Sequence, residues 1–465
     1  MTQADHVGEC ADAVGFPNVL VVCCNPFSAE RNNGLTMLNL FSGWPASKLA
    51  QIYIEAATTI PPDMSVCSRY WKISPLSAAM NLLGIHRHLS CYPEKITAAK
   101  CRTPGWRRFF MGLARMQGMA PRLDPGREWL FGAKSLLNKP LENWIQSCHP
   151  EVVYSTLGRN FLMRLALEIS VRFGLPIVPH FLDDWVTTEY INSPFSSRLR
   201  SRMSGMMRKV LNRSTVRLSI CDAMSAEYNR RYGGEFLAFS NCVEASRFPE
   251  PGPMPQGDCV RLVYVGGLAL DRWKALQAIG SALERLHQNG LRGAMRIHTH
   301  PEMAGKYGVG LTRPPFIEMG AFLPKSEVPR ALQSADILVH VESFNANERE
   351  CTRFSLSTKI PEYLMAGRCI VAYGPPECAS IRYIQDKKAG VVICDEGEGA
   401  LDRGLQPILA SHDLRQEYGT RARQLGLAEH EAVQQRRRFR SAIAAGAAAG
   451  IPSSCNFPKQ NYVSR

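Results

Sequence analysis

The sequence predicts an α/β protein built as two Rossmann-like, doubly wound halves facing each other across a cleft. Three observations carry this. Apolar runs of strand length recur along the chain, among them 18–24 (N-V-L-V-V-C-C) and Val260–Val265 (V-R-L-V-Y-V). Helical patterns lie between them, and strands apolar along their whole length belong to parallel sheets covered on both faces. A Pro- and Gly-rich stretch at 249–257 divides the chain near its middle, and the strand pattern restarts just beyond it.

The elements follow in order. The first half, residues 1–250, opens with the run 18–24. Its later strand candidates are 151–155 (E-V-V-Y-S), 176–181 (P-I-V-P-H-F) and 217–221 (R-L-S-I-C), with a helical pattern at 161–173. The second half, 258–430, offers Val260–Val265, 295–298, 316–319, 336–341, Cys369–Tyr373 and 390–394. Residues 431–465 read as a basic helix and tail. A chain of 465 residues has room for two or three domains with substantial cores.

Composition excludes several classes. Apolar content of 45% and charged content of 21% are those of a globular protein. No run nears the roughly 18 apolar residues of a membrane span, and the first dozen residues lack the pattern of a secretory signal. The 15 cysteines are odd in number and show no C-x-x-C spacing, which suits reduced thiols in a cytoplasm and no zinc site. No H-E-x-x-H is present, so no metal ligand set is expected.

The net charge of +14 is unevenly placed. Residues 95–139 hold ten Lys/Arg against Asp124 and Glu128, and 198–217 hold seven and no acid. The second segment also carries Leu199, Met203, Met206, Val210 and Leu211 at helical spacing. Such a stripe can lie on an anionic membrane surface, or it can face the core beneath a solvated basic face. No nucleic-acid motif accompanies the charge, so no nucleic-acid partner is expected.

Four motifs stand where ligands bind in doubly wound sheets, beyond the carboxyl ends of strands. After the first strand comes N-P-F-S-A-E-R-N-N-G at 25–34, where Asn33 and Gly34 read as a turn that lets backbone approach a ligand. At and just past the end of 176–181 come His180, Asp183 and Asp184, a histidine and two carboxylates able to orient an acceptor or shift a proton. After Val260–Val265 come Gly266 and Gly267, then Arg272 and Lys274, glycines for close approach and cations for a diphosphate. The fourth motif, 354–368, reads F-S-L-S-T-K-I-P-E-Y-L-M-A-G-R. It places Ser357, Thr358, Lys359 and Glu362 in the first turn of a short helix, where free N–H groups and the dipole favour phosphate. Glu362 could hold sugar hydroxyls, and the set suits a nucleotide diphosphate sugar.

At these residues the chain resembles bacterial glycosyltransferases of the GT-B fold, group 1 or family 4 type. The 25–34 loop with L-F-S-G-W-P at 40–45 is similar to their donor-side loop. P-H-F-L-D-D-W at 179–185 is similar to their acceptor-side segment, V-Y-V-G-G-L with D-R-W-K to the diphosphate grip, and S-T-K-I-P-E-Y-L-M-A-G-R to the helix whose glutamate holds the donor ribose. Asn241 and G-A-F-L-P at 320–324 also match. The resemblance covers residues 18–394. The family commonly shows two glutamates separated by seven residues; here the later one is Glu362, while Phe354 stands where the earlier is expected. Either 343–353 is an insertion and Glu342 still reaches the site, or that role is lost.

The resemblance implies a retaining transfer that needs neither cofactor nor divalent metal, from a nucleotide-sugar donor to a lipid-linked or growing surface glycan. It implies a cytoplasmic protein with a peripheral seat on the inner membrane face. His180, Asp183 and Asp184 are its candidate catalytic residues. Asn33, Gly34, Gly266, Gly267, Arg272, Lys274, Glu342, Ser357, Thr358, Lys359 and Glu362 are its candidate donor residues. The alternative is a catalytically silent binding or scaffold protein of the same fold, which the missing first glutamate would favour.

Overall fold

A computed structural model describes residues 15–28, 32–54, 61–84, 122–252, 257–397 and 399–452. The basic stretch 95–121 therefore lies outside the described residues, as does the tail from 453. The chain divides into two compact units. One runs to Phe239 and resumes at Arg436; the other is Ser240–Gln435. The last helix is thus not a separate tail. It spans Ala432–Ala449, and its Phe439 packs on Phe41 at 4.9 Å and on Tyr154 at 5.9 Å in the core of the first unit.

The first unit holds a parallel sheet of β1 (Val19–Cys23), β2 (Leu49–Ile54), β3 (Arg69–Ile73), β4 (Val152–Ser155), β5 (Ile177–Phe181), β6 (Leu218–Ser219) and β7 (Leu237–Ala238). Their order is β3-β2-β1-β4-β5-β6-β7. Every residue of β1, β4 and β5 is buried, as continuous apolar strands require. The sequence reading missed β2 and β3. The first buries a polar side chain, Gln51, which accepts the Phe27 N–H at 2.9 Å. The second is an edge strand with half-buried Arg69 and Lys72, so its apolar signal is diluted.

The helix Ser196–Leu211 decides between the two readings of its stripe. Its apolar stripe is Leu199, Met203, Met207, Val210 and Leu211, all buried; Met207 occupies the place expected of Met206. It packs on the helix Asn160–Phe173 and on β5, so the stripe is core and is not available to lipid. Several of the basic residues are structural too. Arg213 donates to Ser170 Oγ at 2.6 Å and its carbonyl at 2.9 Å, Arg217 to the Gly233 carbonyl at 2.8 Å, and Arg200 to the Thr187 carbonyl at 3.1 Å. No helix of the described residues is long and apolar enough to cross a membrane.

The second unit is a parallel sheet of β8 (Val260–Val265), β9 (Gly293–His298), β10 (Ile317–Met319), β11 (Ile337–Val341), β12 (Cys369–Tyr373) and β13 (Val391–Ile393), ordered β10-β9-β8-β11-β12-β13. The order reverses between β8 and β11, which pair directly. Crevices open at such a switch point. Behind β12 the helix His412–Glu429 presses on the helix Ile360–Ala366. A Cβ on Gly419 would come within 2.6 Å of the Gly367 carbonyl oxygen, so only glycine permits that approach. Arg423 of the same helix donates to the Met365 carbonyl and, at 2.8 Å, to that of Phe248.

Candidate active site

The carboxyl ends of β8 and β11 bring five charged or polar side chains together in the second unit: Arg272, Glu342, His340, Lys359 and Tyr264. The helix Arg272–Gln288 starts just after β8, and Arg272 is its first residue. Its Nη2 donates to both carboxylate oxygens of Glu342, at 2.9 and 3.2 Å. Glu342 follows directly on β11 and is buried. Burial alone would raise its pKa. Arg272 first, then His340 and Lys359, overcome that and hold it at about 2. Burial works against the charge of Arg272 as well, and Glu342 more than restores it.

Lys359 enters from the turn before the helix Ile360–Ala366. Its Nζ lies 4.4 Å from the centre of the Tyr264 ring and donates to the Tyr264 hydroxyl at 3.2 Å. Gly266 makes this possible: a Cβ there would stand 2.5 Å from Nζ and 2.9 Å from Cδ of the lysine. Among the described residues no carboxylate pairs with this ammonium within salt-bridge distance. Burial first, and Arg272 second, lower its pKa to about 7, while Glu342 opposes them. The backbone beneath is fixed by Tyr363, whose hydroxyl accepts the Val265 N–H at 3.0 Å, and by the Gly266 N–H on the His298 carbonyl at 2.9 Å.

The neighbouring positions differ from the sequence expectation in detail. Helix Ile360–Ala366 starts later than expected, so Ser357 and Thr358 lie outside its first turn and Lys359 is its cap. The Ser357 N–H is taken by Ser380 Oγ at 2.9 Å, and the Thr358 carbonyl accepts from Asn241 Nδ2 at 3.1 Å. Glu362 sits in the first helical turn with Arg247 Nη1 3.7 Å away; burial raises its pKa, and Arg247 and Lys325 work against the rise. Lys274 does not join the group: it is exposed and pairs with Asp271 at 2.9 Å. Gly267 accepts from the Tyr264 hydroxyl through its carbonyl at 2.5 Å.

The remaining candidates lie in the first unit. Asn33 and Gly34 are not in a turn but in the helix Asn32–Phe41. A Cβ on Gly34 would stand 2.8 Å from the Pro26 carbonyl oxygen and 3.2 Å from that of Ser28, so this glycine is explained by its own chain. His180 is fully buried, with Tyr154 Oη 2.7 Å from Nδ1 and the Phe239 carbonyl 3.0 Å from Nε2. Burial lowers its pKa to about 4, against the backbone hydrogen bonds to Phe239 and Ser219. Asp184 is buried and accepts from Tyr228 Oη at 2.9 Å and from Arg231 Nη1 at 2.9 Å on both oxygens. Both side chains are engaged within the unit. Asp183 is half-buried at the same strand end.

Neither any known protein-family profile nor any curated protein matches the sequence. Solved structures do. A sucrose-phosphate synthase from Thermosynechococcus elongatus superposes with a TM-score of 0.58 at 12% identity, over 93% of this chain and 100% of that one. Anabaena HepE, solved with UDP and glucose, gives 0.58 at 9% over 92% and 99%. WaaG, a glycosyltransferase of lipopolysaccharide biosynthesis, gives 0.52 at 14% over 93% and 100%. The chain has the GT-B fold. At these identities the likeness establishes the architecture and leaves the chemistry to the residues of the site.

His340 and Tyr264 belong to that site and escaped the sequence reading. A signal for His340 was present: it stands two residues before Glu342, on the same side of an extended chain. Tyr264 stands two residues before Gly266 in β8, but an aromatic residue in a strand ordinarily reads as core.

Proposed function

We propose that the chain is a glycosyltransferase that moves a sugar from a nucleotide diphosphate sugar to a lipid-linked or growing surface glycan, with retention of configuration and without a divalent metal. The observation that carries the reading is the convergence of Arg272 and Lys359 at the switch point of the second sheet, with Glu362 on the adjoining helix. Two cations in a half-buried crevice suit the leaving diphosphate, where negative charge develops during transfer. They offer in side chains what a bound ion would otherwise supply. Lys359 supports it further: an ammonium lodged on an aromatic face, with no carboxylate within salt-bridge distance among the described residues, is ready to take an anion. Glu362, in the first turn of the adjoining helix, would accept from ribose or sugar hydroxyls. Glycosyltransferases, one of them solved with UDP and glucose, are among the chains that share the fold.

Arg272 already gives its Nη2 to Glu342, so a diphosphate arriving there meets a guanidinium engaged by a carboxylate. The lipid-surface contact expected of 198–217 is not carried forward, because its apolar stripe is core. The acceptor class then rests on resemblance alone.

A second reading, a nucleotide-sugar-binding protein without transfer, is favoured by one observation: His180 and Asp184 are already occupied by structural partners. Release of UDP or GDP from a panel of sugar nucleotides separates the two. The transferase reading expects release by the wild-type chain, and its loss in Lys359→Ala and Glu362→Ala with the circular dichroism spectrum unchanged. Saturable binding of the sugar nucleotides without release would establish the second reading instead.

A further inference from the structure

The site holds one group for which the donor reading has no use. His340 is fully buried in β11, and neither ring nitrogen has a hydrogen-bond partner among the described residues. An orphaned buried polar group in a folded protein calls for a reason. Its Nε2 stands 3.4 Å from Glu342 Oε1, close but not aligned as a hydrogen bond. The same carboxylate is held by Arg272 at 2.9 and 3.2 Å. Arg272 has its own orphan, since its Nε is buried without a partner. One buried carboxylate therefore has two donors beside it, one engaged and one standing off.

This arrangement has a use if Arg272 has two anions to serve. A diphosphate arriving at Arg272 competes with Glu342 for the guanidinium, and a buried carboxylate left without a donor is strongly disfavoured. That penalty would be subtracted from ligand affinity. A second donor within a small rotation of the carboxylate removes it. We propose that His340 is a positioning residue of the anion site: it takes Glu342 as Arg272 turns toward the diphosphate. The exchange needs only the Nε2–H of a neutral imidazole and no change in total charge. His340 touches no ligand and acts through Glu342 and Arg272. The inference rests on the donor reading above and adds a residue that the reading does not require.

Titration calorimetry of the full chain with UDP and with inorganic pyrophosphate tests it. His340→Phe keeps the shape of the ring and removes both nitrogens. Binding of both probes should weaken by about tenfold or more, the loss of one charge-assisted hydrogen bond. His340→Gln, which restores an N–H donor, should recover most of that loss. In a Glu342→Ala background, His340→Phe should have no further effect, because the group it serves is gone. A purely packing role for His340 would give equal losses in both backgrounds and no rescue by Gln, and either result overturns the proposal. If His340→Phe does not fold, as judged by circular dichroism, His340→Met stands in as a variant without an N–H donor. Unchanged affinity in the donor-less variant overturns this inference and leaves the donor reading intact. No binding of either probe by the wild-type chain overturns both.

Discussion

Lys359 carries the sharpest consequence at the scale of single residues. Its pKa falls to about 7 in the folded chain, with burial as the first cause and Arg272 as the second. Between that value and the ordinary lysine value near 10.5, the unfolded chain binds more protons than the folded one. Folding stability from this group therefore rises with pH through that window. Anion binding runs the opposite way, because it needs the ammonium. UDP affinity should fall as pH climbs from about 7 to about 9, by up to about tenfold per unit for one coupled proton, a range in which the phosphate of UDP itself is already ionised. Lys359→Arg, charged throughout, should flatten the profile. Calorimetric titration across that range checks it, and a flat wild-type profile would contradict the role given to Lys359. Arg272, Lys359 and Glu362 were legible because charged residues next to strand-end glycines and a helix start are unusual. The confinement of His180 and Asp184 was not, since their partners Tyr154, Phe239, Tyr228 and Arg231 lie 26 to 59 residues away. A histidine and carboxylate at a strand end look alike in sequence whether they are free or engaged.

The scale of elements shows the same limit in another form. The period of 198–211 announced a helix correctly, yet an amphipathic period does not say what its apolar face will meet. The face meets the core. Met207→Ala should cost roughly 2–5 kcal/mol as a cavity beneath that helix, read as a shift in the urea midpoint. A change within experimental error would mean that the stripe is not packed as described and would reopen the lipid reading. The strands divide by burial. Largely apolar runs such as β1, β8, β11 and β12 were legible almost to the residue. The edge strand β3 and the two-residue strands β6 and β7 were legible poorly or not at all, because too few residues carry the pattern. Helix Ile360–Ala366 was found but placed too early. Thr358 and Lys359 form a turn before it, and their backbone geometry has no separate signature in the sequence.

At the scale of the whole molecule, two doubly wound α/β units followed from repeated strand–helix alternation, restarted after a Pro-rich break, and the GT-B fold was implied by the motif resemblance. The division of the chain into units was not as simple as that break suggested. The chain leaves the first unit after Phe239, before the Pro-rich stretch, and returns to it at Arg436. The return is made by Phe439 and by Arg436, whose Nε donates to the Asn39 carbonyl at 2.7 Å; neither advertises a partner some 400 residues earlier. Every role given to the site depends on the second unit capturing a nucleotide diphosphate with side-chain cations. Calorimetric titration of the full chain with UDP and with GDP, in the presence of EDTA, tests it most directly. Saturable binding of at least one of them is expected despite the chelator, weakened by about 1.5–3 kcal/mol in Arg272→Ala, the loss of a charge-assisted contact. Absence of binding by both nucleotides, or binding that appears only when Mg²⁺ or Mn²⁺ is restored, would contradict it.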